Sequence, residues 1–300
     1  MKKCLVIGAA MLDIIMKIER LPKSGEDVYA DSQEMMVGGC AYNVADIMKH
    51  FGASYTLFAP VGDGIYGKII SRKLREAGHE IAICSQEKDN GYCLCLVERE
   101  GERTFLTLPG VECNFQREWF HELHVEEYDS AYVSGYEIEG EGGDAILEFF
   151  EKNPSLTVYY APGPRIMHLS KEKQARMKAL HPVVHLNEKE ALEYTGEPDF
   201  ECAAQKLYED TGNTVIITLG ARGAYLKNED DILVSAKEVK ATDTTGAGDA
   251  HIGTVIAMRQ RGREYREAVK AANRVSAMVV GVEGPTLTKE EFQKEREKNE

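Results

Sequence analysis

Short apolar runs rich in β-branched residues alternate with segments of helical period along most of the chain. The helical period is clear where Ala41, Val44 and Met48 repeat at i, i+3 and i+7, and Gly64–Ala77 and Ala203–Asp210 show the same pattern. The runs that predict strands are Leu5–Gly8, Tyr55–Pro60, Ala131–Ser134, Thr157–Tyr160, Val183–Leu186 and Val215–Leu219. This alternation predicts an α/β fold with a mostly parallel central sheet and helices on both faces.

Two strand-like segments, Ile14–Met36 and Gly91–Leu108, interrupt the alternation. In the second, Cys93–Val97 and Thr104–Leu106 flank a charged turn, which predicts a β-hairpin. Strands inserted into an α/β core in this way predict a small β lid over a site at one edge of the sheet. Because no linker, repeat or change of composition divides the chain, we expect residues 1–300 to form a single domain.

The charge balance and the cysteines narrow the possible partners and location. Acidic residues number 50 and basic residues 36, a formal net charge of -14 that argues against nucleic-acid or membrane binding. The seven cysteines are scattered and form no C-x-x-C pair, which disfavours disulfides and zinc clusters. The apolar run after Lys3 resembles a signal peptide, but Asp13 interrupts it, and a buried strand over Cys4–Ala9 is the favoured interpretation. We therefore expect a cytoplasmic protein.

The ten-residue stretch Ala241–Ala250 has the most direct chemical meaning, because polar turn residues lead into Gly-Ala-Gly and then into a helical face. A helix beginning here exposes the backbone N–H groups of Gly246, Ala247 and Gly248, and its dipole adds positive potential. These groups predict an anion hole for a phosphate whose charge grows in the transition state. Asp249, in the first turn, is placed to accept a proton from an attacking hydroxyl. The alternative for the glycines alone is a tight turn, with Asp249 as an ordinary helix charge.

Within this stretch, Asp243–Asp249 resembles the C-terminal signature D-T-x-G-A-G-D of the ribokinase (PfkB) family of carbohydrate kinases. The resemblance implies a ribokinase-like fold, ATP as the phosphoryl donor and Mg²⁺ as a cofactor. It also implies that Asp249 is the catalytic base and that Gly246–Gly248 form the anion hole. Further motifs agree with the family in order, from Gly8 to about Phe292.

A Gly-Gly turn that opens a helix, with an asparagine one turn in, matches the N-terminal signature of the family. The resemblance implies that Gly38, Gly39 and Asn43 contact the hydroxyls of the substrate, to which an amide offers both a donor and an acceptor. Asp13 matches the substrate-binding aspartate of the family, whose carboxylate suits a vicinal diol. Met11 is apolar where ribokinases carry a polar residue, so we expect it to face a sugar carbon or a nucleobase.

Three further motifs match the nucleotide side of the family. Asn187 and Glu190 form an N-x-x-E motif, for which the resemblance implies binding of Mg²⁺ and phosphate, partly through water. Thr218, Gly220 and Gly223 belong to a T-x-G-x-x-G loop that follows a β-branched strand. Asn273 falls where the family often places an asparagine near the adenine. The cofactor-binding residues expected here are Asn187, Thr218, Gly220, Gly223 and Asn273, with Glu190 as the magnesium residue.

Residues of two further loops are also expected to have specific roles. Asp243 and Thr245 correspond to positions that line a monovalent-cation site in many members, with K⁺ as the candidate ion, and Gly284 lies in a segment expected to add carbonyl ligands. In the turn before the second predicted helix, Asp63 is expected to act as a helix cap. The resemblance also identifies the inserted strands as a lid that closes over the sugar, excludes water and often makes a homodimer.

The predicted function is transfer of the γ-phosphate of ATP to a hydroxyl, expected to be primary, of a sugar or sugar derivative. One alternative is a nucleoside kinase acting on the ribose 5′-hydroxyl, which the room beside Met11, Tyr92 and Cys95 would distinguish. A second alternative is a catalytically silent ligand sensor, which has no need of Asp249. A dehydrogenase is disfavoured, because the first strand is not followed by G-x-G-x-x-G.

Overall fold

The computed structural model describes residues 2–229, 231–236, 239, 241–282 and 284–297. In chain order the strands are β1 (Lys3–Ile7), β2 (Met11–Ile18), β3 (Ser32–Gly38), β4 (Tyr55–Phe58), β5 (Pro60–Gly62), β6 (Ile83–Ser85), β7 (Tyr92–Glu98), β8 (Arg103–Leu108), β9 (Tyr128–Ser134), β10 (Thr157–Ala161), β11 (Val183–Asn187), β12 (Val215–Thr218), β13 (Ala224–Lys227) and β14 (Asp231–Val234). The α-helices are α1 (Cys40–His50), α2 (Ile65–Glu76), α3 (Gly135–Glu139), α4 (Gly143–Lys152), α5 (Lys171–Ala179), α6 (Glu188–Thr195), α7 (Phe200–Thr211), α8 (Ala247–Gln260), α9 (Tyr265–Val280) and α10 (Lys289–Glu297). In the described part of the chain, no helix combines the length and apolar character needed to cross a bilayer.

The central sheet has eight strands in the order β14-β13-β12-β11-β10-β9-β1-β4. From β4 to β12 neighbouring strands pair in parallel, whereas β13 and β14 are antiparallel additions at one edge. The strands predicted from apolar runs are all present, which confirms the mostly parallel α/β sheet. The prediction missed β13 and β14, because each has only four residues and is not buried throughout, so neither shows a continuous apolar run.

Strand β1 shows how the core covers both faces of this sheet. Cys4 and Val6 belong to one apolar cluster with side chains of α1, α8 and α9. Leu5 and Ile7 belong to a second cluster, with side chains of α4. All four side chains are fully buried, as expected when alternate residues of a strand point to opposite, helix-covered faces. The predicted helices on both faces are therefore confirmed.

Four strands form a second sheet, here named the small sheet, in the order β3-β2-β7-β8. β2 pairs antiparallel with β3 and parallel with β7, and β7 and β8 form the predicted hairpin. The strands extend beyond the predicted inserts, since β2 begins at Met11 and β3 ends at Gly38. Asp13 therefore belongs to a strand of the small sheet.

The prediction that Asp63 caps α2 is wrong. Asp63 is exposed, and the N-cap residue is Gly64, which makes no side-chain hydrogen bond. Asp89 instead accepts hydrogen bonds from the backbone N–H groups of Tyr66 (3.0 Å) and Gly67 (2.8 Å). A carboxylate from a distant loop thus satisfies the first N–H groups of the helix, which local sequence could not indicate.

Candidate active site

Two cavities meet at the N-terminus of α8. The small-sheet cavity, about 390 Å³ in volume, lies between the small sheet and the first turns of α1 and α8. The α9 cavity, about 260 Å³ in volume, lies between α8, α9 and the loop that follows β12. Gly246 and Asp249 line the small-sheet cavity, whereas Ala247 and Gly248 line the α9 cavity. One turn of helix therefore borders both chambers.

Asp249 is half-buried within this turn. Asn43 Nδ2, on α1, donates a hydrogen bond of 2.8 Å to Asp249 Oδ2. Burial raises the pKa of the Asp249 carboxyl to about 6, while hydrogen bonds from the side chains of Asn43 and Cys40 act in the opposite direction. The group is thus ionised at neutral pH, yet it binds a proton more readily than an exposed aspartate does.

The backbone at the start of α8 presents N–H groups towards the junction of the two cavities. Gly246 is the N-cap and adopts a φ of 75°, a left-handed conformation that favours glycine. The N–H groups of Gly246 and Gly248 have no hydrogen-bond acceptor among the described residues. Ala247 differs from the prediction, because its N–H donates to Thr244 O at 3.3 Å, a long turn hydrogen bond. These groups and the helix dipole favour an anion at this position.

One face of the small sheet covers the small-sheet cavity. Alternate residues of three strands point into it, in register with one another: Met11, Asp13 and Ile15 on β2, Cys93 and Cys95 on β7, and Arg103, Phe105 and Thr107 on β8. The period of two follows from the pleat of the strands. This face combines one carboxylate and one guanidinium with a mostly apolar surface.

Asp13 sits beside the Gly-Gly turn that precedes α1. Its carboxylate makes no hydrogen bond with the described residues, and burial raises its pKa to about 6. A Cβ on Gly38 would lie 2.0 Å from Asp13 Oδ2, and a Cβ on Gly39, whose φ is 102°, would lie 2.5 Å from Ala9 O. Both glycines are thus required for the chain to pass this close to Asp13 and to the end of β1. Gly39 lines the small-sheet cavity directly, whereas Gly38 acts by leaving room for Asp13.

Asn43 also lines the small-sheet cavity and is buried. Its Nδ2 is used by Asp249, but its Oδ1 has no hydrogen-bond partner among the described residues. A buried acceptor without a partner costs about 1–3 kcal/mol, so it marks a place where a ligand hydroxyl can donate. The residues predicted to bind substrate, Met11, Asp13, Gly38, Gly39 and Asn43, are thus brought together around one cavity.

The predicted nucleotide loop lines the α9 cavity. Thr218, Gly220, Gly223 and Asn273 all contribute to its wall, opposite Ala247 and Gly248. Gly220 and Gly223 have φ values of 60° and 105°, and a Cβ on Gly223 would lie 2.1 Å from Val234 O. The loop thus depends on glycine where it passes the edge strand β14.

Asn273 belongs to a buried chain of hydrogen bonds under the α9 cavity. His251 Nε2 lies 3.1 Å from Asn273 Oδ1, and His251 Nδ1 lies 3.0 Å from His185 Nε2. Asn273 Nδ2 donates to Val234 O at 2.8 Å. Burial lowers the pKa of His251 to about 4, and burial together with His251 lowers that of His185 well below its ordinary value. Both rings are neutral at pH 7, so each Nε2 carries the proton and donates along the chain towards Val234.

Asn187 and Glu190 lie at the start of α6 and form a reciprocal capping box. Asn187 Oδ1 accepts from Glu190 N at 2.8 Å, and Glu190 Oε2 accepts from Asn187 N at 2.9 Å. Neither residue lines either cavity. Burial raises the pKa of the Glu190 carboxyl, against the hydrogen bonds from Asn187 that lower it. The second oxygen, Oε1, accepts no hydrogen bond from the described residues, so an oxygen ligand remains for a hydrated magnesium ion. Among the described residues, no group of three or more His, Cys, Asp or Glu side chains is arranged to hold a metal ion.

Asp243 and Thr245, the predicted monovalent-cation residues, are bonded to an arginine of the small sheet. Arg103 Nη1 and Nη2 each donate to one oxygen of Asp243 at 3.0 Å, and Nη1 also donates to Thr245 Oγ1 at 3.0 Å. Although burial raises it, the pKa of Asp243 is lowered to about 2 by hydrogen bonds from Thr245 and Arg103. Sequence reasoning missed Arg103, whose position after a charged turn is typical of a solvated hairpin end.

Glu112 is a second cavity residue that the sequence did not reveal. It is fully buried and accepts hydrogen bonds from the backbone N–H groups of Gly91 (3.0 Å) and Gly110 (2.7 Å). These glycines lie just before β7 and just after β8, so a single carboxylate clamps both ends of the hairpin. The available signal was the pair of glycines that bracket the hairpin in the sequence.

The sequence matches the model of the pfkB family carbohydrate kinases over residues 1–291. The protein described as "Uncharacterized sugar kinase YegV" from Escherichia coli is 34% identical over 285 residues, which cover 93% of this chain and 89% of the relative. Among solved structures, a ribokinase from Thermotoga maritima has a TM-score of 0.84 at 21% identity and covers 99% of this chain and 100% of its own. An adenosine kinase from Sinorhizobium meliloti has a TM-score of 0.84 at 22% identity and covers 99% of both chains.

These comparisons confirm the ribokinase-like fold and the family resemblance that the two signatures predicted. The two solved structures show the fold alone. The family model and the Escherichia coli relative show the family to which the chain belongs. The chain belongs to the pfkB family of carbohydrate kinases, which are phosphotransferases with a hydroxyl group as acceptor.

Proposed function

We propose that this chain transfers the γ-phosphate of MgATP to a primary hydroxyl of a neutral sugar or sugar derivative. The observation that carries the proposal is that one turn of α8 borders both cavities, with Asp249 on one side and Gly248 on the other. An acceptor in the small-sheet cavity and a nucleotide in the α9 cavity would meet at this turn. Phosphoryl transfer depends chiefly on such positioning and on electrostatic stabilisation.

Asp249 acts as the general base in this proposal. Its pKa of about 6 leaves it ionised at neutral pH, and its burial favours uptake of the hydroxyl proton as phosphorus is attacked. Asn43 holds the carboxylate through Oδ2, which leaves Oδ1 for the acceptor hydroxyl. The N–H groups of Gly246 and Gly248, which have no acceptor among the described residues, then bind the phosphoryl oxygens as their charge increases.

The nucleotide would occupy the α9 cavity, against the loop that contains Thr218, Gly220 and Gly223 and above Asn273. Asn187 and Glu190 would hold magnesium through water, and the ion supplies positive charge that offsets the charge of the phosphates. Glu190 already has its carboxylate oriented by the capping box, so it needs no rearrangement of the helix start.

The charges of the small-sheet cavity favour a neutral acceptor. Five carboxylate residues line it: Asp13, Glu112, Glu137, Asp243 and Asp249. Arg103 is the one Lys, Arg or His side chain among the described residues of the lining, and its guanidinium is bonded to Asp243. A sugar acid or a sugar phosphate would therefore be repelled. The carboxylate of Asp13 and the orphan Oδ1 of Asn43 would accept hydrogen bonds from adjacent hydroxyls.

A nucleoside is the second candidate acceptor, and the apolar part of the small sheet favours it. Met11, Ile15, Met36 and Phe105 line the same cavity, and Phe105 remains 58% exposed. Such a surface would cover a planar base as readily as the carbons of a sugar. The proposed base and anion hole serve both acceptors, since each offers a primary hydroxyl.

The experiment is ADP release from MgATP with a panel of neutral sugars, sugar acids and nucleosides, for wild type and Asp249→Asn. Loss of the base should reduce kcat by about 10²–10⁴-fold. Asp63→Asn is the matched control, because Asp63 is an exposed aspartate that lines neither cavity. Turnover restricted to neutral sugars supports the proposal, and turnover restricted to nucleosides supports the second candidate. Efficient turnover of a sugar acid, or an unchanged rate in Asp249→Asn, would contradict it.

The small sheet is also proposed to act as a lid and as the contact surface of a homodimer. On the face away from the cavity, Met35, Leu106 and Leu108 are about half exposed or more. Three large apolar side chains on one sheet face suit a second copy of the chain. Sedimentation of wild type and Leu106→Lys tests this, since the variant should dissociate, whereas a monomeric wild type contradicts the dimer.

The cytoplasmic location of the protein stays a prediction.

A further inference from the structure

The contact between Arg103 and Asp243 joins the small sheet to the loop that leads into the anion hole. The guanidinium is bidentate, with Nη1 3.0 Å from Oδ1 and Nη2 3.0 Å from Oδ2. A fork of this kind is among the stronger ion-pair geometries, and lysine cannot reproduce it. Asp243 is 8% exposed, so the pair is partly shielded from solvent.

The Asp243 carboxylate has no oxygen left for a monovalent cation. Besides the two hydrogen bonds from Arg103, it accepts from Thr245 N (2.9 Å), Thr245 Oγ1 (2.7 Å) and Gly284 N (3.3 Å). A carboxylate offers about four lone-pair sites, so these donors occupy all of them. The Thr245 hydroxyl is also used, because it donates to Asp243 and accepts from Arg103. The residues that were predicted to hold K⁺ therefore do not fit that ion in this arrangement.

Arg103 brings the positive charge that a cation would otherwise provide at this position. Without it, the buried Asp243 carboxylate would lie in the loop just before Gly246 with no positive partner at that position. A negative charge there opposes binding of the phosphoryl group by the nearby N–H groups. Because Arg103 lies on β8, the small sheet supplies the positive charge at this position. Glu112 clamps the other end of the same hairpin.

We propose that Arg103 is a positioning residue that supplies, from the small sheet, the fixed positive charge beside the anion hole, so that this kinase needs no monovalent cation at Asp243 and Thr245. The inference rests on the proposed function for its catalytic consequence. Its structural part, a cation position filled by a guanidinium, is independent of which acceptor is used. Closure of the small sheet and completion of the anion hole then become one event.

The kinetic test compares K⁺ with tetramethylammonium at equal ionic strength. Wild-type kcat should agree within about twofold in the two salts, since no cation site needs filling. Arg103→Ala should lower kcat by about 10–100-fold with little change in the KM for ATP, and guanidinium ions should restore part of the loss. The kcat of Arg103→Lys should lie between those of wild type and Arg103→Ala, because lysine keeps the charge but not the bidentate geometry. Arg99→Ala is the matched control, since Arg99 is an exposed arginine of the same hairpin turn.

A ligand-free measurement separates this inference from the proposed function. The melting temperature of wild type should be the same in both salts, whereas K⁺ should raise that of Arg103→Ala by occupying the vacated carboxylate. A K⁺-specific rise in wild type, or in wild-type kcat, would overturn the inference, as would Arg103→Ala with wild-type kcat in tetramethylammonium. If wild type turns over no acceptor, the proposed function fails, and the melting temperatures still decide the role of Arg103.

Discussion

Asn43 Nδ2 lies 2.8 Å from Asp249 Oδ2, although the two residues are 206 positions apart in the chain. The contact requires α1 and α8 to approach closely, and Gly253, one turn after Asp249, allows it. A Cβ on Gly253 would lie 3.0 Å from Val44 O and 3.3 Å from Ile47 Cβ. The two family signatures are therefore in direct contact, and Asn43 of the first positions Asp249, the proposed base, of the second.

This contact predicts a pH effect of Asn43→Ala. The hydrogen bond from Asn43 lowers the pKa of Asp249 against the larger effect of burial, so its loss should raise that pKa above about 6. Because the base acts in its ionised form, the acidic limb of kcat/KM should move to higher pH. The pH–rate profile measures the shift, with Asn213→Ala as the control, because Asn213 is a half-buried asparagine that lines neither cavity. An unmoved limb would mean that another group controls it.

Asp249→Asn should stabilise the fold at neutral and alkaline pH. The folded-state pKa of about 6 lies above the ordinary value of 3.8, so the folded protein binds the proton more tightly than the unfolded chain. Wild type therefore loses stability as pH rises from 3.8 to 6, by about 3 kcal/mol in total. The uncharged amide avoids this cost. Urea unfolding should show a difference that is small near the lower pKa and full above the higher one. A variant no more stable than wild type at about pH 8 would contradict an ionised Asp249 carboxylate with a raised pKa.

Gly248→Ala and Gly246→Ala should separate function from folding. A Cβ on Gly248 meets no atom within 4 Å, so the fold should lose nothing and gain up to about 1 kcal/mol of helix propensity. The methyl group would enter the α9 cavity and displace the phosphate, which should lower kcat/KM for ATP by at least about tenfold. At Gly246, the φ of 75° and a contact of 2.5 Å with Pro285 O should instead cost more than about 1 kcal/mol of stability. Thermal unfolding and ATP kinetics of both variants test this. Equal behaviour of the two would contradict the assigned roles.

Asn273→Ala should affect the nucleotide and leave the acceptor unaffected. The substitution removes the acceptor of His251 Nε2 and the donor to Val234 O, so two buried groups lose partners at a cost of about 1–3 kcal/mol each. Since β14 borders the nucleotide loop, the KM for ATP should rise while the KM for the acceptor stays constant. Thr211→Val is the control, because it removes a buried hydrogen bond to Leu207 O far from either cavity. If both variants change the KM for ATP alike, the effect is one of general destabilisation.

Several features of the site could be predicted because they depend on local sequence. Glycines at 38, 39, 246 and 223 announce tight turns, and the structure places each where a Cβ would collide with backbone or with Asp13. The period of the apolar residues located α1, α2 and α7 to within a few residues. The assigned roles of Asp13, Asn43 and Asp249 stay predictions until they are tested by substitution.

Other features had no signal at the functional residue itself. Asp89 caps α2 from outside the helix, and Glu112 clamps the hairpin by accepting from glycines on both sides of it. Each is a carboxylate that accepts hydrogen bonds from backbone N–H groups that only the folded chain brings near. In sequence, both residues are typical of solvated loops.

The sequence by itself determined the alternation of strands and helices, the glycine turns and the identity of the chemical groups, because periodicity and backbone conformation depend on near neighbours. Only the tertiary structure decided that Arg103 meets Asp243, 140 positions away, and that Asn43 meets Asp249. Those contacts depend on how the small sheet and α1 pack against α8. A charged residue at a strand end gives no sequence signal of its partner, so the pairing of Arg103 with Asp243, and the charge it places beside the proposed anion hole, is a property of the fold.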